Sequence, residues 1–206
     1  YGSLEGRFRS QFAPGSIASF VPEYKKGVSA LPEAIAEGKW LVSTLGAKEM
    51  DSTYETFTKF WSSDLPAEPV AILHFAGHGE NKPDPCIKLL DGSVSCGDVH
   101  GGVMLGRRDG TFVVLNACET GNTDLKLGLV SGWAASLTAA EFGGVLAPLW
   151  KVEDGHASEV VRQYLAQFYR GVPMGLAMLQ ARTAARNASS TPFAYICHGD
   201  VTAVMR

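Results

Sequence analysis

The sequence predicts an α/β fold, a three-layer sandwich with a mostly parallel central sheet of about six strands flanked by helices and a small antiparallel excursion. Three observations carry this. Pro69-Val-Ala-Ile-Leu-His-Phe-Ala-Gly-His-Gly79 and Thr111-Phe-Val-Val-Leu-Asn-Ala-Cys118 are short, continuous apolar runs that end in polar, reactive residues, as strands buried on both faces do. Helical stretches alternate with such strands, an order that builds a parallel sheet covered by helices. Apolar residues make up 46% of the chain and charged residues 19%, which is enough for a core and too little charge for disorder.

Residues 1–27, rich in Gly, Ser and Pro, read as an irregular lead-in with one edge strand around Ser16 to Val21. Pro32 suits a first helical turn, and the stretch from Glu33 continues as an amphipathic helix to about Gly46. A second helix covers Ser52 to Trp61. The first buried strand follows, with His78 just beyond its C-terminal end. Residues 87–99 alternate loosely around Asp91-Gly92, a hairpin turn signal. The second buried strand places Cys118 at its C-terminal edge. Helix 131–141, strand Gly144 to Trp150, helices 155–170 and 173–187 and strand 193–198 complete the order.

At 206 residues the chain reads as one domain, 1–206. The absence of a start Met at Tyr1 suggests a piece excised from a longer multidomain protein. A net charge of −3 leaves no basic footprint for direct binding of nucleic acid. No apolar run reaches the ~18 residues that span a bilayer, so no membrane partner is expected. Cys86, Cys96, Cys118 and Cys197 follow no close-set disulfide framework, which points to reduced thiols in a cytoplasm.

Open parallel sheets bind ligands at the carboxyl ends of their strands, where the connecting loops splay apart. His78 and Cys118 both fall there, 40 residues apart in sequence. An ordinary thiol, with a pKa of about 8.5, is only a few per cent thiolate at pH 7, so a nucleophilic Cys needs a neighbouring base. His78 is the candidate base and Cys118 the candidate nucleophile, with Gly79 able to bring a bare backbone N–H to a developing oxyanion beside that of Cys118. A Cys at the end of an apolar strand is equally at home as an inert small hydrophobe. His74 precedes His78 by four, but on a strand such residues stand about 13 Å apart, which speaks against a metal pair. Cys86, Cys96 and His100 match no common zinc spacing. No cofactor is expected.

His74-Phe-Ala-Gly-His78-Gly79 together with Leu115-Asn-Ala-Cys118-Glu-Thr-Gly121 resembles the CHAT domain, a relative of caspases and separase in the clan of caspase-fold peptidases. Gly144-Val-Leu-Ala-Pro-Leu-Trp150-Lys-Val-Glu-Asp154, Phe168-Tyr-Arg-Gly-Val-Pro173 and Gly175-Leu-Ala-Met-Leu-Gln-Ala-Arg182 resemble later CHAT blocks in order and spacing. Asn116-Ala-Cys118 departs from the caspase Gln-Ala-Cys, which suits CHAT over caspase proper. The resemblance, over about residues 30–200, implies a caspase-like fold and a cysteine endopeptidase acting on protein substrates. It implies His78 as general base, Cys118 as nucleophile, the N–H groups of Gly79 and Cys118 as oxyanion hole, and a structural His74. It also implies a regulatory repeat or sensor domain in the same chain or complex, with bacterial defence as one setting.

The segment from Leu149 and Trp150 to Asp154 is similar to the separase segment that holds a substrate arginine, so a P1 pocket for Arg or Lys is expected from Asp154 and Trp150. Asp154 also suits the cap of helix 155–170, and both roles can coexist. Two other functions stay open: a catalytically silent scaffold module, and a cysteine hydrolase or acyltransferase acting on a non-peptide substrate. Arg107-Arg108, in the expected loop between the two reactive strands, is a candidate self-processing site.

Overall fold

The computed structural model describes residues 11–13, 15–24, 30–80, 85–119, 128–185 and 189–206. The lead-in contributes β1 (Gln11–Phe12) and β2 (Ser16–Phe20). Helix α1 (Pro32–Leu45) starts with Pro in its first turn and ends at Gly46, whose left-handed φ of 68° turns the following N–H, that of Ala47, back to the Leu41 carbonyl at 3.1 Å. Strand β3 (Lys48–Met50) leads to α2 (Tyr54–Ser62), whose first turn is capped by the Thr53 side chain accepting from the Thr56 N–H.

Strand β4 (Val70–Glu80) precedes a hairpin of β5 (Cys86–Lys88) and β6 (Ser93–Ser95), then a short helix α3 (Leu105–Asp109) and β7 (Phe112–Glu119). The chain continues through α4 (Gly128–Ala139), β8 (Gly144–Pro148), α5 (Asp154–Phe168), α6 (Met174–Ala185), α7 (Thr191–Ala194), β9 (Tyr195–Gly199) and β10 (Val204–Met205).

The main sheet runs β3-β2-β4-β7-β8-β9, parallel throughout except for β9. The β5–β6 hairpin joins the end of β4 through Gly79 opposite Ile87 and Glu80 opposite Cys86. Strands β1 and β10 form a separate parallel pair. Side chains alternate across each strand, which divides the core in two. Ile72, Phe112, Val114 and Leu146 pack under α1, α5 and α6. Leu73, Phe75, Val113, Leu115 and Val145 pack on the other face, under α2 and α4. Phe112, Tyr164 and Phe168 gather with Phe12 at ring separations of 5.2–6.0 Å, each contact adding to area burial by about 0.5–1.5 kcal/mol.

Three expectations change. The lead-in strand is not an edge strand: β2 lies inside the sheet, between β3 and β4, because the short, unforeseen β3 takes the edge. His78 is inside β4, since pairing with β5 carries that strand on to Glu80. Arg107-Arg108 lies in helix α3, where Arg107 pairs with Glu141 at 3.1 Å and Arg108 holds Asp109 and the Pro66 carbonyl. A protease needs its target bond extended, so a helix anchored by both arginines is a poor self-processing site.

Candidate active site

The register of β4 on β7 sets His78 directly opposite Cys118 and Gly79 opposite Glu119. Neighbouring strands lie about 4.8 Å apart, so the backbones of the two candidate residues are one strand spacing from each other. Their sequence separation of 40 residues is spanned by the hairpin, α3 and the return along β7.

Tyr24, from the segment after β2, closes over His78. Its hydroxyl accepts the His78 backbone N–H at 2.9 Å and donates to the Lys88 carbonyl at 2.8 Å. Its ring lies on the imidazole at a centroid distance of 4.7 Å and a tilt of 42°. Burial pushes the tyrosine hydroxyl up to about 12, only partly offset by the bond from His78, so it remains a donor at neutral pH. Gly77 makes room for this arrangement, because a Cβ there would stand 2.6 Å from the Tyr24 hydroxyl and 2.8 Å from the Phe75 ring. Gly79 sits between Glu119 of β7 and Ile87 of β5.

His74 belongs to a buried polar belt. Its Nε2 donates to Glu37 Oε1 at 2.7 Å, and its Nδ1 shares a 2.9 Å hydrogen bond with the Ser19 hydroxyl. The second carboxylate oxygen of Glu37 accepts from Asn116 Nδ2 at 2.8 Å, and the Tyr195 hydroxyl donates to Asn116 Oδ1. Burial pushes the Glu37 carboxyl up, while the His74 and Asn116 bonds pull it back.

Asp154 opens α5 at the same sheet edge, yet it does not cap that helix: Glu153 holds the cap position. Its carboxylate instead accepts the Glu33 N–H at 3.0 Å in the first turn of α1, and burial pushes it up. Trp150, 38% exposed, stands on the segment between β8 and α5. Cys86 and Cys197 carry free thiols. Burial raises both, Cys197 to about 12. Among the described residues no three metal-ligating side chains converge, and no helix is long and apolar enough to cross a membrane.

Of the residues singled out from the sequence, His78 and Cys118 stand opposite each other on β4 and β7 and Asp154 opens α5; Tyr24 and Glu37 were not anticipated. Glu37 had a signal: it shares the buried stripe of α1 with Ala34, Gly38 and Leu41, at the spacing of a core-facing helix side. Tyr24, in an irregular segment, had none.

The sequence model of the CHAT domain family matches residues 10–198. Gingipain R, an Arg-specific cysteine proteinase, superposes with a TM-score of 0.63 at 11% identity, over 98% of this chain and 49% of its own. Separase of Saccharomyces cerevisiae, solved in complex with securin, gives 0.58 at 12% identity, over 96% of this chain and 13% of its own. A complex of the pro- and mature domains of RgpB from Porphyromonas gingivalis gives 0.57 at 11% identity, over 95% and 48%. The chain thus spans about an eighth of the separase chain and about half of the gingipain chains. No curated protein matches the sequence.

Proposed function

Because the chain belongs to the CHAT domain family, we propose that it is a cysteine endopeptidase in which Cys118 attacks the scissile carbonyl and His78 takes the thiol proton. Its fold is that of the caspase-like cysteine peptidases. The observation that carries the reading is the β4–β7 register, which pairs position 78 with position 118. A base and a thiol one strand apart can share a proton, and the resulting thiolate is the nucleophile. Attack forms a thioester through a tetrahedral oxyanion, with the N–H groups of Gly79 and Cys118 as its donors. His78 returns the proton to the leaving amine, and water then hydrolyses the thioester.

The scaffold alternative has less support, because a silent module has no need of a His and a Cys in register on adjacent strands. An acyltransferase on a non-peptide substrate would use the same groups, and substrate trials separate the two. The test is a fluorogenic peptide library covering every P1 residue, with Cys118→Ala as control. Cleavage that vanishes in the variant supports the reading, and cleavage that persists in it sinks the reading.

The P1 residue is basic in this proposal, with Asp154 as counter-charge and Trp150 as wall. Gingipain R is Arg-specific, and the Asp154 carboxylate, held by backbone N–H groups in the first turn of α1, is the acidic group that follows β8 at this sheet edge. The expected result for Asp154→Asn is a loss of about 10–100-fold in kcat/KM on Arg and Lys peptides. Unchanged cleavage of basic-site peptides would remove Asp154 from the pocket.

His78 is 5% exposed and covered by the Tyr24 ring, so substrate enters only when neighbouring groups shift. This supports control by a partner domain or complex that orders the site. Tyr24→Phe keeps the ring but removes both hydroxyl bonds. It should lower kcat by about tenfold with KM nearly unchanged, measured beside thermal unfolding. A wild-type kcat in the folded variant would show that Tyr24 does not position the base.

A further inference from the structure

We propose that Glu37 is a positioning residue for this reaction, acting through the two strands that carry His78 and Cys118; this inference rests on the dyad proposed above. One carboxylate binds both strands. Oε1 holds His74, four residues before His78 on β4, and Oε2 holds Asn116, two residues before Cys118 on β7. The belt extends to Ser19 on β2 and Tyr195 at the start of β9, so it crosses the sheet just below the catalytic edge.

The ladder alone fixes which residues stand opposite each other. It leaves strand twist and the orientation of side chains beyond the last pair to be set by packing and side-chain bonds. Glu37, His74 and Asn116 are 0, 0 and 6% exposed, so water cannot replace any bond that breaks, and each member holds its neighbours in one geometry. Helix α1 thereby becomes a brace for the dyad, through a group that need touch neither substrate nor the reacting atoms. A misplacement of about 1 Å at such a site can cost about a hundredfold in rate.

A donor–acceptor exchange tests this. Asn116→Asp sets two carboxylates against each other where an amide donated to a carboxylate, and like charges at that distance cannot both ionise without separating. Adding Glu37→Gln restores the pairing in reverse. The carbonyl of the new amide accepts from His74, while its NH₂ group and the Tyr195 hydroxyl both donate to the carboxylate introduced on β7. The readout is the rate of iodoacetamide alkylation of Cys118 against pH, located by peptide mass, with far-UV circular dichroism as the folding control.

Wild type against His78→Ala comes first. If His78→Ala leaves the Cys118 profile unchanged, the dyad itself fails, and that outcome is distinct from failure of the brace. With the dyad in place, Asn116→Asp at pH 7 should alkylate about 10–30-fold more slowly, its profile moving toward that of an ordinary thiol near 8.5, which is only a few per cent thiolate at that pH. The double variant should return to within about threefold of wild type, since exchange within one network is strongly non-additive. A folded Asn116→Asp that alkylates like wild type overturns the proposal. So does a double variant that fails to fold or reacts no faster than Asn116→Asp alone.

Discussion

Replacing His78 with Ala should lower kcat/KM by about a thousandfold or more, and Cys118→Ala should bring hydrolysis to background. The two losses have different origins. Without the imidazole, Cys118 keeps only the few per cent of thiolate an ordinary thiol carries at pH 7, and the leaving amine loses its proton donor. General acid–base catalysis is worth about 10²–10⁴-fold in such steps. The alkaline range should partly rescue His78→Ala, because hydroxide then supplies the thiolate, but KM should hardly move. Without Cys118 there is no thioester, so no pH restores turnover. Steady-state kinetics of both variants from pH 6 to 9 check this. A His78→Ala enzyme as active as wild type at pH 7 would show that the β4–β7 register does not create the base.

Glu37→Leu should cost about 3–5 kcal/mol of stability, the range for breaking a buried charged network by removing one partner. The carboxylate is fully buried, and its loss strands the Nε2 of His74 and the Nδ2 of Asn116. Each stranded donor has given up water without a partner. For a domain of this size about 2–4 °C of Tm accompanies each kcal/mol, so Tm should fall by about 6–20 °C. The triple variant Glu37→Leu, His74→Leu, Asn116→Leu should recover part of that loss, because apolar replacement of a whole buried network is often close to neutral. Calorimetry of the single and triple variants decides it. A single variant as stable as wild type would mean the belt contributes little to folding.

Much of this fold was written in local pattern. The runs at 70–76 and 112–117, short, apolar and rich in β-branched residues, read as buried strands, and Pro32 and Gly46 marked both ends of α1 by backbone chemistry alone. His78 and Cys118 were legible because polar, reactive side chains closed apolar strands. What escaped depended on partners distant in sequence. Strand β3 has three residues and is fixed by pairing with β2, so no local signal reveals it. The interior position of β2 follows from that pairing. Arg107-Arg108 read as loop because five residues are too few to show helical periodicity.

The site shows the same division. Tyr24 meets its partners only in the folded chain, where its hydroxyl joins the His78 N–H and the carbonyl of Lys88, 64 residues on. Asp154 opens α5 after β8, but its bond runs to Glu33, 121 residues earlier, and not to its own helix. Glu37 was the one missed group with a local sign, a carboxylate on the apolar stripe of a helix.

The most direct measurement is covalent trapping with an irreversible peptidyl ketone that carries an Arg side chain at P1, followed by intact mass and peptide mapping at pH 7. Burial pushes the Cys197 thiol up to about 12 and raises Cys86 as well, so both stay thiols at that pH and are poor nucleophiles. The expected result is a single adduct on Cys118 that forms far more slowly in His78→Ala. An adduct on Cys86 or Cys197, or one on Cys118 that forms equally fast without His78, would contradict the assignment of a Cys118–His78 dyad.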